Sequence, residues 1–182
     1  LAVTGIQFVR QSSSARLDSI QRWQANSRLK AQNPLSMYLQ KDAPDHHDAE
    51  LVLKVYQLRT DPVMRQSRQD ISRKFLPASY EELIAVTKDD HPLNAAYRQV
   101  GSYWEMVYAM AKHGVIHAEF MLESCGEGLY LFAKVQPYLE RLRSESNPLA
   151  YQNAEWVATH TKRGQQLTER FAKRVANALA AR

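Results

Sequence analysis

The stretch Pro92-Leu-Asn-Ala-Ala-Tyr-Arg-Gln-Val-Gly-Ser-Tyr-Trp-Glu-Met-Val-Tyr-Ala-Met-Ala-Lys-His113 decides the fold. Leu93, Ala96, Val100, Tyr103, Val107 and Met110 recur at three- and four-residue steps, which gathers them on one side of a helix. Trp104, Met106 and Tyr108 widen that apolar stripe, leaving Arg98, Ser102, Glu105 and Lys112 for the other side. A helix with so broad an apolar surface is covered on most sides, so residues 92–113 are predicted to be the central helix of a bundle. Asp89-Asp90-His91 reads as its cap, with carboxylates satisfying free N–H groups and opposing the positive helix end. Gly114 suits a left-handed C-terminal cap.

The flanking segments carry the same signals. Asp45 can cap a helix through Leu51, Val52, Val55, Tyr56 and Leu58 that ends near Thr60. Asp61-Pro62 then starts a segment through Arg65, Arg68, Ile71 and Phe75, stopped by Pro77. Ser79-Tyr-Glu-Glu82 fits a capping box ahead of a short helix through Leu83, Ile84 and Val86. Beyond the centre, a short helix spans about 117 to 125, and the next runs through Leu131, Val135, Tyr138, Leu139 and Leu142 with a kink at Pro137. Asn147-Pro148 starts a helix with Leu149, Tyr151, Trp156 and Val157, and Gly164 separates it from an alanine-rich final helix through Leu167, Phe171, Val175 and Leu179. Only six glycines occur in 182 residues and no Asn-Gly or Asp-Gly pair, so the punctuation of a sheet protein is missing. With 45% hydrophobic and 24% charged residues the chain can bury an ordinary core. The expected architecture is all-α, a single-domain multi-helix bundle over 34–182.

The formal net charge of +5 lives at the two ends. Arg10, Arg16, Arg22, Arg28 and Lys30 face Asp18 alone, and Lys162, Arg163, Arg170, Lys173, Arg174 and Arg182 face Glu169 alone. Residues 1–33 read as a basic N-terminal helix ending at Asn33-Pro34. The apolar start Leu1-Ala-Val-Thr-Gly-Ile-Gln-Phe-Val, too short to span a bilayer, followed by arginines also matches the cytoplasmic side of a truncated membrane anchor whose apolar run lies upstream of Leu1. An ordinary first helix packed on the bundle is the competing reading.

No motif announces chemistry. Cys125 is the only cysteine, with no obvious activating base beside it, and reads as a small hydrophobe. His113 and His117 stand four apart with Glu119 and Glu123 following, but Gly114 interrupts the helix on which such ligands would converge, so no metal is expected. His46-His47-Asp48 with Asp42 and Asp45 reads as a capped surface loop. Nucleophile elbows and phosphate loops are missing, and no cofactor is expected. Arg65, Arg68, Arg73 and Lys74 could belong to a hidden helix-turn-helix between Asp61 and Val86, yet solvated helices carry such charges routinely and nucleic acid is disfavoured as a partner. Two carboxylates stand among aromatics, Glu105 in Tyr-Trp-Glu-Met and Glu155 in Asn-Ala-Glu-Trp. Burial there is costly unless they are paired, and Arg141 and Arg143 are the candidate partners. Glu105, His113, Arg141 and Glu155 are the candidate ligand-binding residues, and no catalytic residue stands out.

Tyr103-Trp-Glu105, Gly114-Val-Ile116, Lys134-Val-Gln-Pro137 with Arg141 or Arg143 beyond, then Tyr151 and Glu155-Trp156 follow one another in an order that resembles bacterial proteins grouped as domain of unknown function 4760. The resemblance covers roughly 90–160. It implies a helical fold and a hydrophobic N-terminal helix ahead of a soluble part, and it brings no catalytic residues. Phe132 stands two residues before Lys134 where the family tends to have an aromatic next to the lysine, and Ala154-Glu155 stands where it tends to have Phe-Glu. The leading expectation is a non-enzymatic interaction or scaffold domain with a protein partner, cytoplasmic and tethered to the inner face of a membrane. The alternatives are a small-ligand binder or enzyme with a pocket between helices, and a nucleic-acid binder acting through the basic ends.

Overall fold

The computed structural model describes residues 41–182. Along these the chain forms α1 (His46–Leu58), α2 (Pro62–Lys74), α3 (Tyr80–Thr87), α4 (Asn94–Lys112), α5 (Ala118–Ser124), α6 (Glu127–Val135), a 3-10 turn (Gln136–Tyr138), α7 (Leu139–Glu145), α8 (Gln152–His160) and α9 (Lys162–Ala180). No strand occurs among the described residues. The expected basic helix over 1–33, the Asn33-Pro34 break and the anchor reading lie outside them.

α4 is the predicted centre. It packs most extensively on α2 and α8, while α9 lies against α6 and α8. Its wide stripe is real: Val100, Tyr103, Trp104, Val107, Tyr108 and Ala111 are all buried. Met106 is the exception, since its step around the helix carries it out of the stripe and leaves it 49% exposed. Around α4 the core gathers Ile71, Phe75, Leu83, Ile116, Met121, Leu129, Phe132, Val135 and Val157. Gly114 has φ of 67°, the left-handed cap its position suggested. Cys125 is fully buried among these residues, and that burial pushes its thiol pKa up.

Several helix starts differ from the sequence reading in instructive ways. α4 begins at Asn94, and its approach is held by His91, whose Nδ1 accepts the Leu93 N–H at 3.1 Å; Asp89 and Asp90 make no cap. Ser79 accepts the Glu82 N–H as expected, but the Glu82 carboxylate reaches past Ser79 to the Ala78 N–H at 2.9 Å. Asp61 caps α2 through Val63 and Met64 as expected. α8 starts at Gln152, because residues 148–151 form a turn that ends with Tyr151 in the left-handed region at φ 53°. The α8–α9 break is at Thr161. Its hydroxyl accepts the Gly164 N–H at 2.9 Å and donates to the Val157 carbonyl at 2.8 Å. Gly164 sits inside the first turn of α9, and a Cβ there would strike the Val157 carbonyl, so glycine serves close approach rather than helix breaking.

Gly128 is the second position that admits no side chain: a Cβ would lie 2.5 Å from Trp104 Cγ and 2.6 Å from the Tyr108 hydroxyl. Because both rings are buried and stacked on each other, Gly128→Ala should cost about 1–3 kcal/mol by overpacking. A urea midpoint equal to that of the wild type would show that the rings give way.

Candidate functional site

Four carboxylates hold the helices in register. Asp48, in the first turn of α1, is completely buried and accepts from its own capping residue Asp45 N–H, from Lys41 Nζ at 3.0 Å and from the His117 N–H at 2.7 Å. Burial alone would raise its pKa; these three donors outweigh it and keep the carboxyl below the usual range. Glu119 on α5 accepts the Lys162 and Arg163 N–H groups that open α9, at 2.6 and 2.9 Å. Glu127, at the start of α6, binds Arg59 at 2.8 Å and Arg68 at 2.5 Å, joining the α1–α2 corner to α6. Glu105 does for α8 what Glu119 does for α9.

Glu105 projects from α4 to the Asn153 N–H at 3.1 Å and the Ala154 N–H at 2.9 Å, and its own carbonyl accepts from the Asn153 amide. These amides would otherwise be orphans of a helix start. Burial raises the Glu105 pKa against the pull of those two N–H groups. Beside it lies a cleft of about 380 Å³ between α4 and the α7–α8 connection. Gly101 leaves the cleft floor open, since a Cβ there meets nothing nearer than the Tyr151 hydroxyl at 3.9 Å. Across that floor the Tyr151 hydroxyl donates to that of Tyr97 at 2.9 Å. Burial pushes the Tyr97 phenol up to about 12 and that of Tyr151 well above its ordinary value, so both stay protonated at neutral pH. Ser102 donates within its own helix, to Gln99 O. The cleft therefore offers hydrogen-bonding groups and an exposed cation, Arg98, on a rigid frame. It holds no nucleophile beside a poised base.

Of the candidate residues, only Glu105 lines this cleft. Glu155 lies on α8 and pairs with Arg143 at 2.9 Å, while Arg143 also donates to the Ala150 carbonyl through Nε and Nη2. Arg141 is on the surface, bonded to Glu81 and Glu145 with its guanidinium 4.0 Å above the Tyr80 ring. His113 is the exposed C-cap of α4. So Arg143 takes Glu155 as the sequence suggested, whereas Glu105 takes backbone amides and neither arginine. His117 caps α5 by accepting the Phe120 N–H at Nδ1. No group of three potential ligands able to hold a metal occurs among the described residues.

A family model described as Domain of unknown function (DUF4760) matches residues 44–161, more than half of the chain. The chain belongs to that family. The match reaches well upstream of the resemblance over 90–160: it starts beside the Asp45 cap and ends at the Thr161 elbow, taking in α1 to α8 and leaving α9 beyond it. Neither the curated proteins nor the solved structures contain a match to the chain.

His46-His47-Asp48 is not the capped surface loop that the sequence suggested but the first turn of α1, with Asp48 buried. Lys134, which the sequence brought out only within the family pattern, is buried as well. The signal for Asp48 was its place three residues after Asp45, the spacing of a capping box. Lys134 stands inside Leu131-Phe-Ala-Lys-Val135 and is 1% exposed. Its Nζ donates to the Ile71 and Ser72 carbonyls near the end of α2, at 2.9 and 3.1 Å, and lies 4.3 Å from the centre of the Tyr130 ring. It thus serves carbonyls that the end of a helix leaves without partners. Burial, with a smaller contribution from Arg174, lowers its pKa from 10.5 to about 7.

Two outcomes follow. Glu105→Ala leaves the first amides of α8 unpaired and should cost about 1–2 kcal/mol in urea denaturation, with His113→Ala unchanged within error. The folded pKa of Lys134 lies below the unfolded one, so between 7 and 10.5 the unfolded chain holds a proton that the native chain lacks. That contribution makes stability rise with pH across the window and is flat below it. The wild type should therefore gain in urea midpoint on Lys134→Met between about pH 7 and about pH 9.5; a constant difference would mean that the ammonium is solvated.

Proposed function

We propose that this chain is a non-enzymatic helical interaction domain that works at the cytoplasmic face of a membrane and meets a protein partner through the corner between α1 and α2. The observation that carries this reading is a group of large apolar side chains left in the open there. Leu53 is 68% exposed, Tyr56 55%, Leu58 53% and Val63 64%, while Val55 and Met64 between them are buried. Apolar groups gathered within so short a stretch are what contact surfaces present, because covering them releases ordered water. The corner is stiff, since Arg59 and Arg68 are both clamped by Glu127 and Arg68 also reaches the Arg59 carbonyl. A preorganised face loses little freedom on binding. A membrane location is consistent with the basic surface of α9, although no described helix is long and apolar enough to cross a bilayer.

A photo-cross-linking residue placed at Leu53 or Val63 in cells should give discrete adducts of higher mass that vanish when Tyr56→Glu is added. The same probe at Lys88 or Glu140 should give none. Equal adducts from all four positions, or none at all, would refute the contact face.

A second reading, a small ligand in the Glu105 cleft, is favoured by one observation. Tyr151 keeps a left-handed backbone at the cleft floor, and strain of that kind, on the order of 1–3 kcal/mol, gathers at binding sites.

A further inference from the structure

Arg163, Arg170 and Arg174 fall at steps of seven and four along α9. At 100° per residue their directions agree to within about 40°, and they stand roughly 10 and 6 Å apart along the axis. All three are exposed and share one groove with Ser72, Tyr130, Leu167 and Phe171, with a volume of about 330 Å³. The groove floor is aromatic: the Tyr130 and Phe171 rings lie 5.4 Å apart, with the Arg174 guanidinium 4.6 Å above the first and that of Arg170 5.2 Å above the second. These rings orient the two guanidinium groups and restrict their rotamers.

What sets the three arginines apart is that they line one groove together without a counter-charge. Among the described residues none of the three forms an ion pair, whereas Arg59, Arg68, Arg98, Arg141, Arg143 and Arg182 each do. Arg65 and Arg73 also lack an ion pair among the described residues but lie outside that groove. Two carboxylates, Glu123 and Glu127, stand on the facing wall. Glu127 is held by Arg59 and Arg68, which among the described residues leaves Glu123 as the opposing charge on that wall without an ion pair. A row of oriented guanidinium groups with surplus positive charge matches phosphate oxygens, which take paired N–H donors. The volume is that of a small-molecule site, too large for a single phosphate.

We propose that the groove between α6 and α9 binds a ligand carrying two phosphate groups, one held by Arg170 and Arg174 and the other by Arg163. The site joins α6 of the family domain to a helix beyond the matched segment. It is separate from the apolar corner, so the contact face and the groove can fail independently, and only the membrane location shares the basic surface of α9.

The test titrates the full chain with fructose 1,6-bisphosphate as a soluble bisphosphate, with inorganic phosphate as the single-group control. In parallel the chain is floated with phosphatidylcholine vesicles with and without cardiolipin, a lipid with two phosphates. At least one bisphosphate source should bind, the soluble one about tenfold or more tighter than phosphate, and Arg170→Gln with Arg174→Gln should weaken it about tenfold. Lys162→Gln with Lys173→Gln, which lie outside the groove, should change it less than about threefold. Binding of the sugar phosphate alone identifies a small molecule, and binding of the vesicles alone identifies a lipid headgroup. No binding of either, or equal loss in both double variants, overturns the proposal. Unchanged helical circular dichroism in the variants separates loss of binding from loss of fold.

Discussion

A helix that begins against the body of a bundle presents amide hydrogens that its own backbone cannot use. In this chain the helices meet that requirement for one another. Glu105 of α4 closes the start of α8, Glu119 of α5 closes the start of α9, and Asp48 of α1 takes the amide that leads into α5. The same logic appears at an opposite end, where Lys134 of α6 takes two carbonyls near the end of α2. Each of these bonds joins elements far apart in the chain. Each therefore fixes the angle of one helix to the next, which nonspecific apolar contact cannot do alone.

This economy explains why so many polar residues that look like chemistry are architecture. A carboxylate among aromatics suggests a site, and Glu105 does border a cleft, yet its oxygens already face two backbone donors. Glu155 and Arg143 fasten the turn through Ala150 to α8. The three groove arginines stand out against this background because they gather in one groove with no ion pair among the described residues.

The central helix was legible from its apolar spacing alone, and Asp45, Asp61 and Gly114 announced the ends they serve because a local cap needs only neighbours in sequence. The long-range caps were not legible, since nothing near Glu119 in the chain says that residue 162 will stand opposite it. Gly164 misled for a related reason. Glycine near a helix boundary suggests a break, but here its missing Cβ admits a carbonyl from the preceding helix. The cleft and groove depend on which helices become neighbours, and periodicity does not disclose that. The charge row on α9 could be read in advance; the aromatic floor supplied by Tyr130 of α6 could not.

Thr161 ends α8 and caps α9 with the same side chain, and Gly164 presses the first turn of α9 against the Val157 carbonyl. There is no linker at this joint and hence no slack. α9 cannot swing like a flap without breaking the bonds of Thr161 and Glu119 together, so it behaves as a rigid lever bolted to the end of the family domain. A load placed on its outer face would be carried through α8 to Glu105 and the central helix.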